Sequence, residues 1–113
     1  MKVLLLTDIH GDVSNLGSIM KQEADFDVAL CAGDISDDSK FEDYSGNLKE
    51  VLKVFDRKGK LSKMVPGNMD RERECLRGLI DYRMNLHKNV ASFDTFDVVG
   101  FGGGITPFGT SPW

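Results

Sequence analysis

Three short apolar runs that each stop at an acidic or glycine-containing motif constrain this chain more than any other feature. Val3-Leu4-Leu5-Leu6 leads into Asp8-Ile9-His10, and Val28-Ala29-Leu30-Cys31-Ala32 leads into Gly33-Asp34. The run from Leu61 to Val65 leads into Gly67-Asn68-Met69-Asp70. Runs of this length, bounded by turn residues and separated by helical patterns, read as buried parallel strands. In open α/β sheets the binding crevice lies outside the carboxyl ends of the strands. The three strand ends therefore bring two aspartates, a histidine and an asparagine to one rim.

Between the strands the spacing turns helical. Asp12 is placed to cap a helix that carries Val13, Leu16, Met20 and Ala24 on one face. The segment from Ile35 to Gly46 has no clean period and reads as a surface loop. Leu48, Val51, Leu52 and Phe55 mark a second amphipathic helix that stops at Lys58-Gly59. Asp70 reads most simply as the cap of a third helix, with Cys75, Leu76, Leu79 and Ile80 inward. Strands are expected over 2–7, 27–32 and 61–65. The order β-α-β-α-β-α with right-handed crossovers gives one parallel sheet. Val90 to Phe93 and Phe96 to Phe101 flank Asp94-Thr95 and read as a β-hairpin. The glycines at 102–104, the segment from Thr106 to Gly109 and the end of the chain at Trp113 read as loop.

With 113 residues there is room for one small domain, over residues 1–113. A formal charge of -4 supplies no basic footprint for nucleic acid. No apolar run approaches the roughly 20 residues needed to span a bilayer, and no export signal is visible. Cys31 and Cys75 fall inside apolar patterns, as buried reduced thiols do, and the expected location is the cytoplasm.

The chemistry at the rim points to a metal. In extended backbone the side chains of Asp8 and His10 lie on the same side, so both reach one ion. Carboxylate oxygen with imidazole nitrogen suits Mn, Fe, Ni or Zn better than calcium. The alternative is a turn cap at Asp8 with His10 incidental. Gly33-Asp34 alone is a common turn, and its weight comes from standing at the end of a second parallel strand. Asn68 offers a carbonyl oxygen to a metal or an amide to a phosphate. His87 reads as a surface or turn residue with no ligand role. Asp37 and Asp38 read as a solvated loop. Gly102-Gly103-Gly104 lacks the context of a dinucleotide fingerprint.

Taken in order, Asp8-x-His10, Gly33-Asp34 and Gly67-Asn68-x-Asp70 resemble the calcineurin-like metallophosphoesterase superfamily. Gly100-Phe101-Gly102-Gly103-Gly104 with Thr106-Pro107-Phe108-Gly109-Thr110 is similar to small prokaryotic, especially archaeal, members. The resemblance covers the whole chain but only about the first half of a typical member. It implies the N-terminal half of a four-layer α-β-β-α sandwich. It also implies a binuclear centre in which Asp8 and His10 hold the first metal, Asp34 bridges, and Asn68 binds the second metal and touches the phosphate of an ester substrate.

Two departures from the family pattern stand out. Met69 occupies the position where the family often has a proton-donating histidine. The histidine and the Gly-His-x-His motif that complete the metal shells in the family have no counterpart here. The expected activity is hydrolysis of phosphodiesters or activated phosphomonoesters by a two-metal-activated water, with the isolated chain inactive or weakly active. The alternative is a non-catalytic metal- or protein-binding module that keeps the fold. Half a double-sheet sandwich leaves one sheet face open. Val3, Leu5, Ala29, Met64 and Val99 are expected there, together with a homo-oligomer or a complementing C-terminal chain as its cover.

Overall fold

Right-handed crossovers that step always in the same direction leave every connecting helix on the same side of a sheet. The computed structural model, which describes residues 1–103, 105–106 and 109–110, has this arrangement. Its main sheet contains β1 (Val3–Leu6), β2 (Val28–Cys31) and β3 (Leu61–Met64), hydrogen-bonded in that order and all parallel. The intervening α1 (Val13–Gln22), α2 (Tyr44–Arg57) and α3 (Glu72–Asp81) lie side by side, α2 contacting both others.

The register decides which side chains enter the core. Leu4 pairs with Ala29, which pairs with Ser62, and Leu6 pairs with Cys31, which pairs with Met64, so these rows face the helices. There they meet Leu16 and Met20 of α1, Leu48, Val51, Leu52 and Phe55 of α2, and Cys75 and Leu79 of α3. Leu5, Leu30 and Lys63 form the row on the opposite face. This corrects the expectation that Ala29 and Met64 share the open face: both are fully buried under the helices. Leu5 and Val99 do stand open, 72% and 75% exposed.

Helix boundaries follow local capping. The Asp12 carboxylate accepts from the Asn15 N–H at 3.0 Å, as its position suggested. α1 ends before Ala24. The second helix starts earlier than the apolar spacing indicates, because Asp43 caps it by accepting from Gly46 N–H at 3.1 Å and Tyr44 is already buried. In α3, Arg71 takes the N-cap position without a side-chain cap bond. Asp70 is turned inward and does not cap the helix. Ile80 is 60% exposed and lies outside the core.

After α3 the chain runs alongside β3, with Met64 N–H donating to Met84 O at 2.8 Å and Leu86 N–H to Met64 O at 2.9 Å. It then forms the expected hairpin, β4 (Asn89–Ser92) antiparallel to β5 (Asp97–Gly100). Lys88 N–H donates to Gly100 O at 2.9 Å and ties the hairpin back to this segment. A side chain at position 100 would place its Cβ 2.4 Å from Leu86 O, so this crossing admits only glycine. Beyond it, two-residue strands β6 (Ile105–Thr106) and β7 (Gly109–Thr110) pair within the segment expected to be loop. Gly104, Pro107, Phe108 and Trp113, assigned to loop from the sequence, lie outside the described residues. Among the described residues, no helix is long and apolar enough to cross a membrane.

Candidate metal centre

The loops that follow β1 and β2 continue the parallel pairing beyond the strands. Asp8 N–H donates to Gly33 O at 3.1 Å, His10 N–H to Asp34 O at 2.8 Å and Gly11 N–H to Ile35 O at 3.0 Å. Asp8, His10 and Asp34 have φ of 56°, 47° and 51°, left-handed conformations that non-glycine residues take infrequently. Such conformations are held by surrounding structure and cluster at functional sites. They also change the reason Asp8 and His10 converge. The two residues are curled, not extended, so the convergence does not come from strand alternation.

The loop after β3 closes onto the loop after β2. A Cβ on Gly67 would lie 2.2 Å from both the nitrogen and Oδ1 of Asp34, so only glycine permits this approach. Asp34 Oδ1 in turn accepts from Met69 N–H at 2.9 Å. One donor atom from each of Asp8, His10 and Asp34 lies within 4.8 Å of the others. His10 Nε2 stands 3.2 Å from Asp8 Oδ1 and 3.9 Å from Asp34 Oδ2. Two carboxylates and one imidazole fit a divalent transition metal by donor chemistry. Asn68 lies exposed in the same loop, between Gly67 and Met69, which both abut Asp34.

Electrostatics separate the two aspartates. The Thr7 hydroxyl, donating at 2.8 Å, holds Asp8 below the usual carboxylate range, helped by His10. Burial raises Asp34, against the opposing Met69 N–H. Burial disfavours the charged form of His10, but hydrogen bonds to the Asp37 and Asp8 carboxylates outweigh it and the pKa is raised.

Two residues read differently here than in the sequence. Asp37 is not a solvated loop residue: it is nearly buried, and its Oδ2 lies 2.9 Å from His10 Nδ1. Asp38 keeps the exposed loop position expected of it and pairs there with the Arg71 guanidinium. His87 is buried, not superficial, its Nδ1 accepting from Gly102 N–H at 2.7 Å and its ring edge against Phe101. It stays outside the Asp8, His10 and Asp34 group.

Asp70 serves the site from below. Its Oδ1 accepts from Ser36 N–H at 2.9 Å and Tyr44 O–H at 2.8 Å. Its Oδ2 accepts from Ile35 N–H at 3.1 Å and Gly67 N–H at 2.8 Å. One buried carboxylate thus fastens the second rim loop to the third. Nothing in the local sequence distinguishes this from a helix cap, since both begin with an aspartate ahead of a helix.

The sequence matches the calcineurin-like phosphoesterase family over residues 1–111. The chain belongs to that family. A relative in Methanocaldococcus jannaschii, the uncharacterized protein MJ1162, is 30% identical over 112 residues, which cover 97% of this chain and 47% of the relative. The crystal structure of TT1561 of Thermus thermophilus superposes with a TM-score of 0.78 at 19% identity, over 92% of this chain and 49% of that one. A further crystal structure aligns with a TM-score of 0.72 at 19% identity, covering 92% of this chain and 53% of the other. These alignments bear out the expected fold, and the chain spans about half the length of the proteins it matches.

Proposed function

We propose that this chain is the N-terminal half of a phosphoesterase domain that uses divalent transition metals, Mn, Fe, Ni or Zn, to hydrolyse phosphodiesters or activated phosphomonoesters. The observation that carries this reading is the convergence of Asp8, His10 and Asp34 in a chain of this family. Asp8 and His10 are assigned to one ion, Asp34 to a bridging position in a binuclear centre, and Asn68 to the second ion and a phosphoryl oxygen. Bound ions in such a site supply a water of lowered pKa and neutralise charge on the phosphoryl oxygens. Asn68 contributes an amide N–H donor to the same oxygens, in the manner of preorganised donors elsewhere. Met69 has no proton to give a leaving oxygen, which favours esters whose leaving group departs unprotonated. The two buried free thiols, Cys31 and Cys75, suit the reducing cytoplasm.

Calorimetric titration with Mn or Zn tests the assignment. Asp34→Asn is expected to weaken binding beyond the roughly 10–100-fold typical of an outer-shell change. His87→Ala, outside the ligand group, should leave affinity unchanged. Equal losses in the two variants would show that the site is misplaced. Absence of binding in the unaltered chain would favour a non-catalytic module that retains the fold.

The open sheet face supports a second part of the proposal, a covering partner in the form of either a second copy or a complementing C-terminal half. Leu5, Leu30, Val65, Leu86 and Val99 line an apolar groove of about 460 Å³ on that face, with Phe101 75% exposed at its margin. Covering roughly 400 Å² of apolar surface stabilises by about 10 kcal/mol before ordering costs. The 113-residue chain by itself is therefore expected to self-associate. Light scattering that gives a monomer mass at high concentration would refute this.

A further inference from the structure

A metal-binding imidazole must present a lone pair to the ion, and its other nitrogen must then carry the proton. Which nitrogen does so is set by the hydrogen bond on the far side of the ring. At His10 two carboxylates compete for a ring proton. Asp37 Oδ2 lies 2.9 Å from Nδ1, and Asp8 Oδ1 lies 3.2 Å from Nε2. If Asp8 took the proton of the neutral ring, the Nε2 lone pair would be lost from the side that faces Asp8 and Asp34.

The structure tilts this competition. The Asp37 side chain is 12% exposed against 57% for Asp8, so its hydrogen bond forms in a drier setting and is less weakened by water. Its orientation is fixed as well: Oδ1 accepts from Ser39 N–H at 2.9 Å and from the Ser39 hydroxyl at 2.6 Å, which leaves Oδ2 for His10. An ionised carboxylate only accepts, so the contact requires hydrogen on Nδ1. Nε2 then turns an unshared pair toward two carboxylates, an arrangement that calls for a cation between them.

We infer that Asp37 is a positioning residue that locks His10 in the Nδ1–H tautomer and so reserves Nε2 for the metal. The inference rests on the metal-centre reading above, but the tautomer is observable without metal. Asp37→Asn is the informative variant. The single amide oxygen would stay with the two Ser39 donors, which turns the amide N–H toward His10 Nδ1 and forces the proton onto Nε2.

Long-range proton–nitrogen NMR of metal-free, ¹⁵N-labelled protein under alkaline conditions reads the tautomer directly. The chain has 2 histidines, and His10→Gln identifies the His10 signals. The expected result is Nδ1–H in the unaltered protein and Nε2–H in Asp37→Asn, with Co²⁺ affinity, followed by visible absorption, falling roughly 10–100-fold. Ser39→Ala, which leaves the His10 contact in place, should keep Nδ1–H. Asp37→Ala gives a second reading should the asparagine variant fold poorly, and it too should shift the proton to Nε2. Nε2–H in the unaltered protein overturns the inference, as does an unchanged tautomer in both Asp37 variants. If the unaltered chain takes up no Co²⁺, the metal centre itself falls and this role falls with it. An unchanged tautomer alongside intact Co²⁺ binding removes the Asp37 role alone.

Discussion

Asp70→Ala is expected to lower the unfolding free energy by about 3–5 kcal/mol, because it leaves several buried donors without an acceptor. The carboxylate is 4% exposed and accepts four hydrogen bonds, two on each oxygen. Alanine leaves three backbone N–H groups and the Tyr44 hydroxyl without their acceptor, and each orphaned buried group costs roughly 1–3 kcal/mol. Asparagine is no remedy, because its amide N–H₂ would face two donors where an oxygen stood. Tyr44→Phe takes away one of the four bonds to Asp70 and leaves the three backbone ones in place, so its cost should be smaller, about 1.5–3 kcal/mol for a bond to a charged group. Urea unfolding of the three variants checks the order. If Asp70→Ala destabilised less than Tyr44→Phe, Asp70 would not be the tie between the rim loops. For a domain whose total stability is about 5–15 kcal/mol, the alanine variant sits near the limit of folding.

The same residue shows how far the sequence could be read. Strands, helices and hairpin were legible because burial leaves periodic marks: Leu16 and Met20 on one helix, Leu48, Val51, Leu52 and Phe55 on another, and unbroken apolar runs between. The candidate ligands Asp8, His10 and Asp34 stood out because their positions at strand ends are a consequence of topology. Partnerships across long separations were not. Asp37 bonds a ring 27 residues away, and Asp70 reaches Ile35, 35 residues away, without any local sign that it points inward. His87 looked superficial because its neighbours Asn85 and Lys88 are polar, whereas its burial comes from Phe101 and the Gly102 backbone. The start of α2 was missed because Tyr44, its first buried residue, stands apart from the apolar spacing that begins at Leu48. Parity within the strands also had to come from pairing. Ala29 and Leu5 seem alike in sequence, yet register sends one to the helices and the other to the open face.

On the proposed reading, the 113-residue chain alone should turn over phosphodiesters poorly, and adding a polypeptide that carries the family's C-terminal metal motif should raise activity. Asp8, His10 and Asp34 would provide three protein donors, enough for one ion with an open position. A two-ion site that steadies both the attacking and leaving oxygens needs a further set. The family resemblance assigns that set to histidines beyond this segment, and the proteins it matches are about twice as long. Forgoing one ion of the pair forfeits several kcal/mol of transition-state stabilisation, roughly a thousandfold or more in rate. Met69 compounds the loss for substrates whose leaving oxygen needs a proton. With Mn or Ni added, the chain is thus expected to hydrolyse a bis-aryl phosphodiester barely above background. Co-expression with a polypeptide that carries the Gly-His-x-His segment should raise the rate by orders of magnitude, and Asp34→Asn should abolish the gain. The same partner should cover the groove beside Leu5 and Val99 and suppress self-association, so activity and monodispersity should appear together. Full metal-dependent turnover by the lone chain, lost in Asp34→Asn, would instead mean that a second copy supplies the remaining ligands.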